Sequence, residues 1–175
     1  IMSQLIFKFP FKATYFENDF YVSSNNFSAY KLIESCPNWP DKWINIFGPK
    51  GCGKTHLVNI LKKKIDSFYK KASDFNNSDL IKIEKYQCII IDNYENNIND
   101  NLLYSLLNHS KQLNKYIVIN SLKPLHLFST NLKDLKSRLN SFFKVSIDYP
   151  TDDLLRVIIS KSFSDKQINL NNKNL

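Results

Sequence analysis

The sequence predicts an α/β domain, a doubly wound parallel sheet with helices on both faces. Three observations lead there. Strand and helix signals alternate from about residue 40 onward. Two runs, QCIIID (Gln87–Asp92) and YIVIN (Tyr116–Asn120), are apolar without the in-and-out alternation of a half-exposed strand, which is the pattern of strands buried on both faces of a parallel sheet. All three glycines of the chain, Gly48, Gly51 and Gly53, fall inside one stretch, NIFGPKGCGKTH (Asn45–His56), between the first strand signal and the first helix signal.

Taken in order, WINIF (Trp43–Phe47) is a short β-rich run. After the glycine loop, Leu57, Ile60, Leu61, Ile65 and Phe68 recur at helical spacing and predict a helix from about Lys54 to Tyr69. QCIIID follows as a strand. A second helical pattern spans about Asn99 to Leu113, and YIVIN is the next strand. Beyond the break at Pro124 come a helical stretch near Leu132–Asn140, the strand FFKVSI (Phe142–Ile147), and a final helix from Asp152 to about Phe163, introduced by Pro150 and capped by Thr151. Acids in the first turn of that helix, Asp152 and Asp153, are favoured by its dipole. In such a sheet the ligand sits at the carboxyl ends of the strands.

Composition narrows the function classes. The chain has 175 residues, 43% hydrophobic and 14% aromatic, enough for one proper core. Its net charge of +8 suits a polyanionic partner, but the clusters Lys62–Lys64 and Lys70–Lys71 read first as a solvated face along and after the predicted helix. No zinc-finger, RNP or helix-turn-helix signature supports sequence-specific DNA binding. Cys36, Cys52 and Cys88 are odd in number and widely spaced, and His56, His109 and His126 form no ligand spacing, so neither a disulfide framework nor a protein-held metal is expected. Apolar runs are too short to cross a bilayer and no export signal is evident, which places the expected location in the cytoplasm.

The glycine stretch carries the chemistry. Gly48-Pro49-Lys50-Gly51-Cys52-Gly53-Lys54-Thr55 fits G-x-x-x-x-G-K-[ST] after a strand and at the opening of a helix, the context of a P-loop. Its glycines let backbone N–H groups turn inward around a phosphate, and the helix N-terminus adds favourable partial charge. Lys54 is expected at the β- and γ-phosphates of ATP or ADP and the Thr55 hydroxyl at Mg²⁺. Asp92, ending a buried strand, stands where a Walker B aspartate holds that Mg²⁺. The next residue is Asn93, where many such ATPases place the acid that activates water, and an amide cannot serve as general base. Glu95 substitutes only if the loop folds back, so hydrolysis is expected to be slow.

These motifs resemble the AAA+ module of the DnaA-related family, and within it the Hda-type regulators of the replication initiator. GPKGCGKTHL resembles the family's P-loop, with His56 after the threonine. DNYE (Asp92–Glu95) resembles its D-N-x-E form of Walker B, and NWPDKWINIFGP its approach to the P-loop. LKSRL (Leu135–Leu139) resembles box VII, which implies an arginine finger at Arg138 acting in trans. ENDFYVSSNNFSAY (Glu17–Tyr30) resembles the segment bordering the adenine, matching mainly at Phe20, Val22 and Asn26. The sensor 1 strand is represented by Asn120 and Ser121, with Leu122 where an acid is expected. At the N-terminus QLIFKF resembles the peptide by which Hda-like proteins dock into the polymerase sliding clamp: an extended segment projects Leu5, Phe7 and Phe9 to one side while the Gln4 amide offers directed hydrogen bonds.

The resemblance covers roughly residues 4 to 165. It implies a clamp-binding peptide at 1–12, an AAA+ core at 13–149, and at 150–175 the start of a helical lid that is truncated or minimal. The expected function is regulation of replication initiation: the protein binds the clamp, holds ATP or ADP, and promotes ATP hydrolysis by the initiator DnaA, with self-association a further expectation. Two alternatives stay open. One is a helicase-loader-type or initiator-like ATPase; the other is a non-catalytic clamp adaptor whose ADP is structural.

Overall fold

The computed structural model describes residues 20–156 and residue 160. Its elements are α1 (Phe27–Glu34), β1 (Trp43–Phe47), α2 (Lys54–Lys64), β2 (Ser67–Lys71), the single turn α3 (Asp79–Lys82), β3 (Cys88–Tyr94), α4 (Asp100–Gln112), β4 (Tyr116–Ser121), α5 (Lys133–Asn140) and β5 (Phe143–Ser146). The five strands form one parallel sheet in the order β2-β3-β4-β1-β5. The sequence-predicted α/β sheet is therefore present, with β1 flanked by the strands that come fourth and fifth in the chain.

Alternate residues of each central strand feed two separate cores. Ile44, Ile46, Ile90, Val118 and Val145 pack under α1 and α2, whereas Ile89, Ile91, Ile117 and Ile119 pack under α4 and α5. Burial on both faces explains why the sequence of β3 and β4 shows no alternation. Each such side chain taken fully out of water contributes about 1.5–3 kcal/mol.

One predicted boundary is corrected. Helix α2 stops at Lys64, and Ser67–Lys71 is an edge strand rather than the helix end. Ile65 already has extended backbone (φ −139°, ψ 138°), and the carbonyl of Asp66 accepts from the N–H groups of Gln87 and Cys88. Pairing with β3 wins because SFYKK lies against a strand with an open side, and Phe68 fits a core position in either conformation. Lys70 consequently leaves the supposed solvated face: its ammonium lies 2.7 Å from the fully buried carboxylate of Asp79, which Lys82 also contacts at 3.0 Å.

Buried amides lock the loops. Asn45, in the middle of β1, donates to the carbonyl of Ile119 and to Ser121 Oγ, and its Oδ1 accepts from the N–H of Leu125 beyond β4. Asn26 accepts from the N–H of Ser23 and donates to the carbonyl of Tyr21, closing the turn that leads into α1. At the other end Thr151 caps as predicted, its Oγ1 accepting from the N–H of Leu154, and residues 152–156 are helical. The rest of the expected lid segment, and the peptide Gln4, Leu5, Phe7 and Phe9, lie outside the described residues.

Candidate functional site

The loop between β1 and α2 is shaped by two glycines whose side-chain hydrogens are required for different reasons. A Cβ on Gly48 would stand 2.2 Å from the carbonyl oxygen of Ile147, so the loop can pass β5 only without one. Gly53 has φ +104°, a conformation that L-residues rarely adopt, and packs 3.1 Å from the Phe20 ring at its Cβ position. Lys54, 7% exposed, turns its ammonium back over the loop and donates to the carbonyls of Gly48 (2.6 Å) and Pro49 (2.7 Å), with Cys52 Sγ at 3.7 Å.

Asp92 is the hub. It is fully buried and has no cation at ion-pair distance among the described residues. Oδ2 accepts from Thr55 Oγ1 and from the Tyr69 hydroxyl, both at 3.0 Å. Oδ1 accepts from Asn120 Nδ2 at 3.0 Å and from the N–H of Asn93 at 3.1 Å. Burial, then the charge and hydrogen bond of Asp92, push the Tyr69 phenol up to about 12, so it acts as a donor throughout the neutral range. A buried carboxylate without a counter-cation beside a threonine hydroxyl fits Mg²⁺, with Thr55 and Asp92 as the residues to hold it. Asn120 Oδ1 is buried with no hydrogen-bond partner among the described residues, an acceptor at the same place.

The mouth of the site, about 400 Å³, is bordered by Lys50, Thr55, His56, Asn93, Glu95 and Leu122. Glu95 borders the same mouth as Asn93: the chain turns after the buried Tyr94, where Asn97 accepts from the N–H of Glu95 and donates to the carbonyl of Asn93. Asn93 has φ +55°, where the parallel register of β3 shifts. Sequence reasoning also missed Tyr69 and Lys71, the latter at the mouth and in register with Asp92. Their signal was the SFYKK strand, hidden by its match to a helical period.

Phe20 falls beside the P-loop, against Gly53. The Phe20 ring lies 5.0 Å from His56 and stacks on Tyr30 at 5.9 Å, while Val22 packs on the α1–α2 core. Arg138 is elsewhere. It lies on α5 with its guanidinium 5.2 Å over the Tyr104 ring, in a groove of about 660 Å³ bordered by Asp41, Trp43 and Lys115. Those residues precede or begin β1 and β4, so Arg138 sits at the amino pole of the sheet and the P-loop at the carboxyl pole. Among the described residues no group of His, Cys, Asp and Glu could hold a metal by itself, and no helix is long and apolar enough to cross a membrane.

A parallel sheet in the order β2-β3-β4-β1-β5, a glycine loop after β1 and a buried aspartate in β3 define an AAA+ type of P-loop domain. No family model matches the chain. A curated relative is the chromosomal replication initiator protein DnaA of Spiroplasma citri, 26% identical over 165 residues, covering 78% of this chain and 36% of that protein. Among solved structures, the replication initiator DnaA bound to AMPPCP and single-stranded DNA aligns with TM-score 0.65 at 22% identity, over 84% of this chain and 53% of that one. Domain III of the Thermotoga maritima replication initiation protein DnaA gives TM-score 0.66 at 18% identity, over 85% and 72%. The chain thus has the fold of DnaA domain III and is similar in sequence to a DnaA initiator, and it spans about a third of the length of that curated initiator.

Proposed function

We propose that this chain is a nucleotide-binding regulator of DNA replication initiation, of the Hda type. It holds ADP or ATP in the P-loop, docks on the sliding clamp through Gln4, Leu5, Phe7 and Phe9, and presents Arg138 to the nucleotide of a neighbouring ATP-bound DnaA. The observation that carries this reading is the separation of Arg138 from the chain's own P-loop by the length of the sheet. A guanidinium at the opposite pole has no role at its own phosphates, so any phosphate it serves belongs to another molecule.

The residues divide the work by geometry. Lys54 and the loop N–H groups bind phosphate oxygens, Thr55 and Asp92 hold Mg²⁺, and Phe20, Val22 and His56 border the base. Mg²⁺ when bound supplies positive charge at the phosphates. At the partner's nucleotide, Arg138 stabilises charge on the transferring phosphoryl group, an effect worth about 10³ to 10⁵ in rate for arginine fingers. The solved initiator's complex with AMPPCP supports a triphosphate-type ligand for this fold.

The test is phosphate release from ATP-loaded initiator, with and without DNA-loaded clamp. The native chain is expected to stimulate release, most strongly with clamp, and Gln4→Ala combined with Leu5→Ala to lose the clamp-dependent part while keeping nucleotide affinity. Stimulation that never occurs, with clamp and initiator both bound, selects the adaptor reading. A second reading is favoured by the relation to an initiator itself: the chain is an initiator-like ATPase that self-associates, Arg138 serving a second copy. ATP-dependent self-assembly with turnover and no effect on DnaA selects it.

A further inference from the structure

We propose that Tyr69 is a positioning residue that uncouples nucleotide binding in this chain from divalent cation, by occupying a second acceptor position on the Asp92 oxygen that Thr55 also contacts. The inference rests on the reading of the site as a nucleotide-binding P-loop.

An ionised carboxylate offers about four lone-pair positions. All four on Asp92 are taken, by Thr55 and Tyr69 on Oδ2 and by Asn120 and Asn93 on Oδ1. Three of these donors belong to the site by construction of the fold: Thr55 lies in the first turn of α2, Asn93 is the next residue of the same strand, and Asn120 is the penultimate residue of the adjacent strand, fully buried. Tyr69 comes from β2, on the other side of β3, and reaches over to Oδ2. Its ring is held from the α2 side by the Lys62 ammonium, 4.4 Å from the ring centroid. The phenol hydroxyl donates to the carboxylate, which can only accept from it.

A hydrated divalent cation approaching Thr55 and Asp92 also presents donors. It must either displace the phenol from Oδ2 or meet a carboxylate whose acceptor positions are already filled. Both lower the gain that Mg²⁺ adds to nucleotide affinity. ADP is therefore bound with similar strength in the presence and absence of Mg²⁺, and removing one hydroxyl restores the dependence.

The experiment is calorimetric titration of the full chain with ADP in excess Mg²⁺ and in EDTA, giving the ratio of the two affinities. In the native protein that ratio is expected to be within about tenfold, and Tyr69→Phe is expected to raise it about tenfold more, the factor of one hydrogen bond to a charged group. A native ratio of about 10³ or above overturns the inference without any variant. So does a Tyr69→Phe ratio that is unchanged or lower, the latter showing that the hydroxyl orients Asp92 in favour of the cation. In the Asp92→Asn background, adding Tyr69→Phe should leave the ratio unaltered; a change there means that the hydroxyl acts through something other than the carboxylate. Normal ADP binding with an unresponsive ratio removes only the role of Tyr69, whereas failure of the native chain to bind ADP in either condition removes the nucleotide reading and the inference with it.

Discussion

The Thr55 hydroxyl donates to Asp92 Oδ2 at 3.0 Å, joining the first turn of α2 to β3 across 37 residues of sequence. This bond ties the helix after the glycine loop to the buried aspartate, and the Lys54 ammonium lies folded over the same loop.

Lys54→Ala is expected to weaken ADP and ATP binding by roughly 10- to 100-fold or more, the loss of a charge-assisted contact in a buried setting. Two loop carbonyls also lose their donor, so the melting temperature falls as well. Unchanged affinity by calorimetry removes the phosphate assignment.

Intrinsic ATP turnover is expected to be slow, because Asn93 offers an amide where a base is needed. Glu95→Gln should lower it further, since Glu95 is the carboxylate beside Asn93 at the mouth. Asn93→Asp should raise it: aspartate tolerates the φ of +55° found there. Steady-state phosphate release measures all three, and fast turnover in the native chain favours the helicase-loader type.

Arg138→Ala is expected to leave the chain's own nucleotide affinity unchanged and to cost only about 0.5–1 kcal/mol of stability, the value of a cation–π contact at a partly exposed ring. Hydrolysis by ATP-loaded initiator should fall. Arg138→Lys should rescue poorly, since lysine keeps the charge but loses the planar fork. If both variants stimulate release as well as the native chain, Arg138 has no trans role.

Asp79→Asn should destabilise the fold by about 1–3 kcal/mol at neutral pH. Burial opposes ionisation of Asp79, but hydrogen bonds from Lys70, the N–H of Asn76 and Lys82 hold its carboxyl below the ordinary value. A depressed folded-state pKa means stability that is present above the unfolded value of about 3.9 and lost as pH falls through the folded one. The native and Asp79→Asn denaturation curves should therefore converge in acid and diverge at neutral pH. Parallel curves across that window would falsify the assignment.

Strands β1, β3 and β4, helices α4 and α5, and the glycine loop that leads into α2 were legible in the chain. Those signals are local: an unbroken apolar run, a helical period with its cap, and a loop motif whose spacing is set by backbone geometry over eight residues. Features set by long-range packing have the opposite character. Ile65 and Phe68 satisfy a helical period and a strand core equally well, and the open edge of β3 selected the strand, which carried Tyr69 to Asp92. Asn45 is an ordinary letter in an asparagine-rich chain until parallel pairing buries it beside partners. Nothing in LKSRL fixes where Arg138 points; packing of α5 on α4 and Tyr104 puts it at the amino pole. Long-range pairing chooses among conformations that local propensity leaves nearly equal, so it decides the residues surrounding a motif although the motif itself is written in the chain.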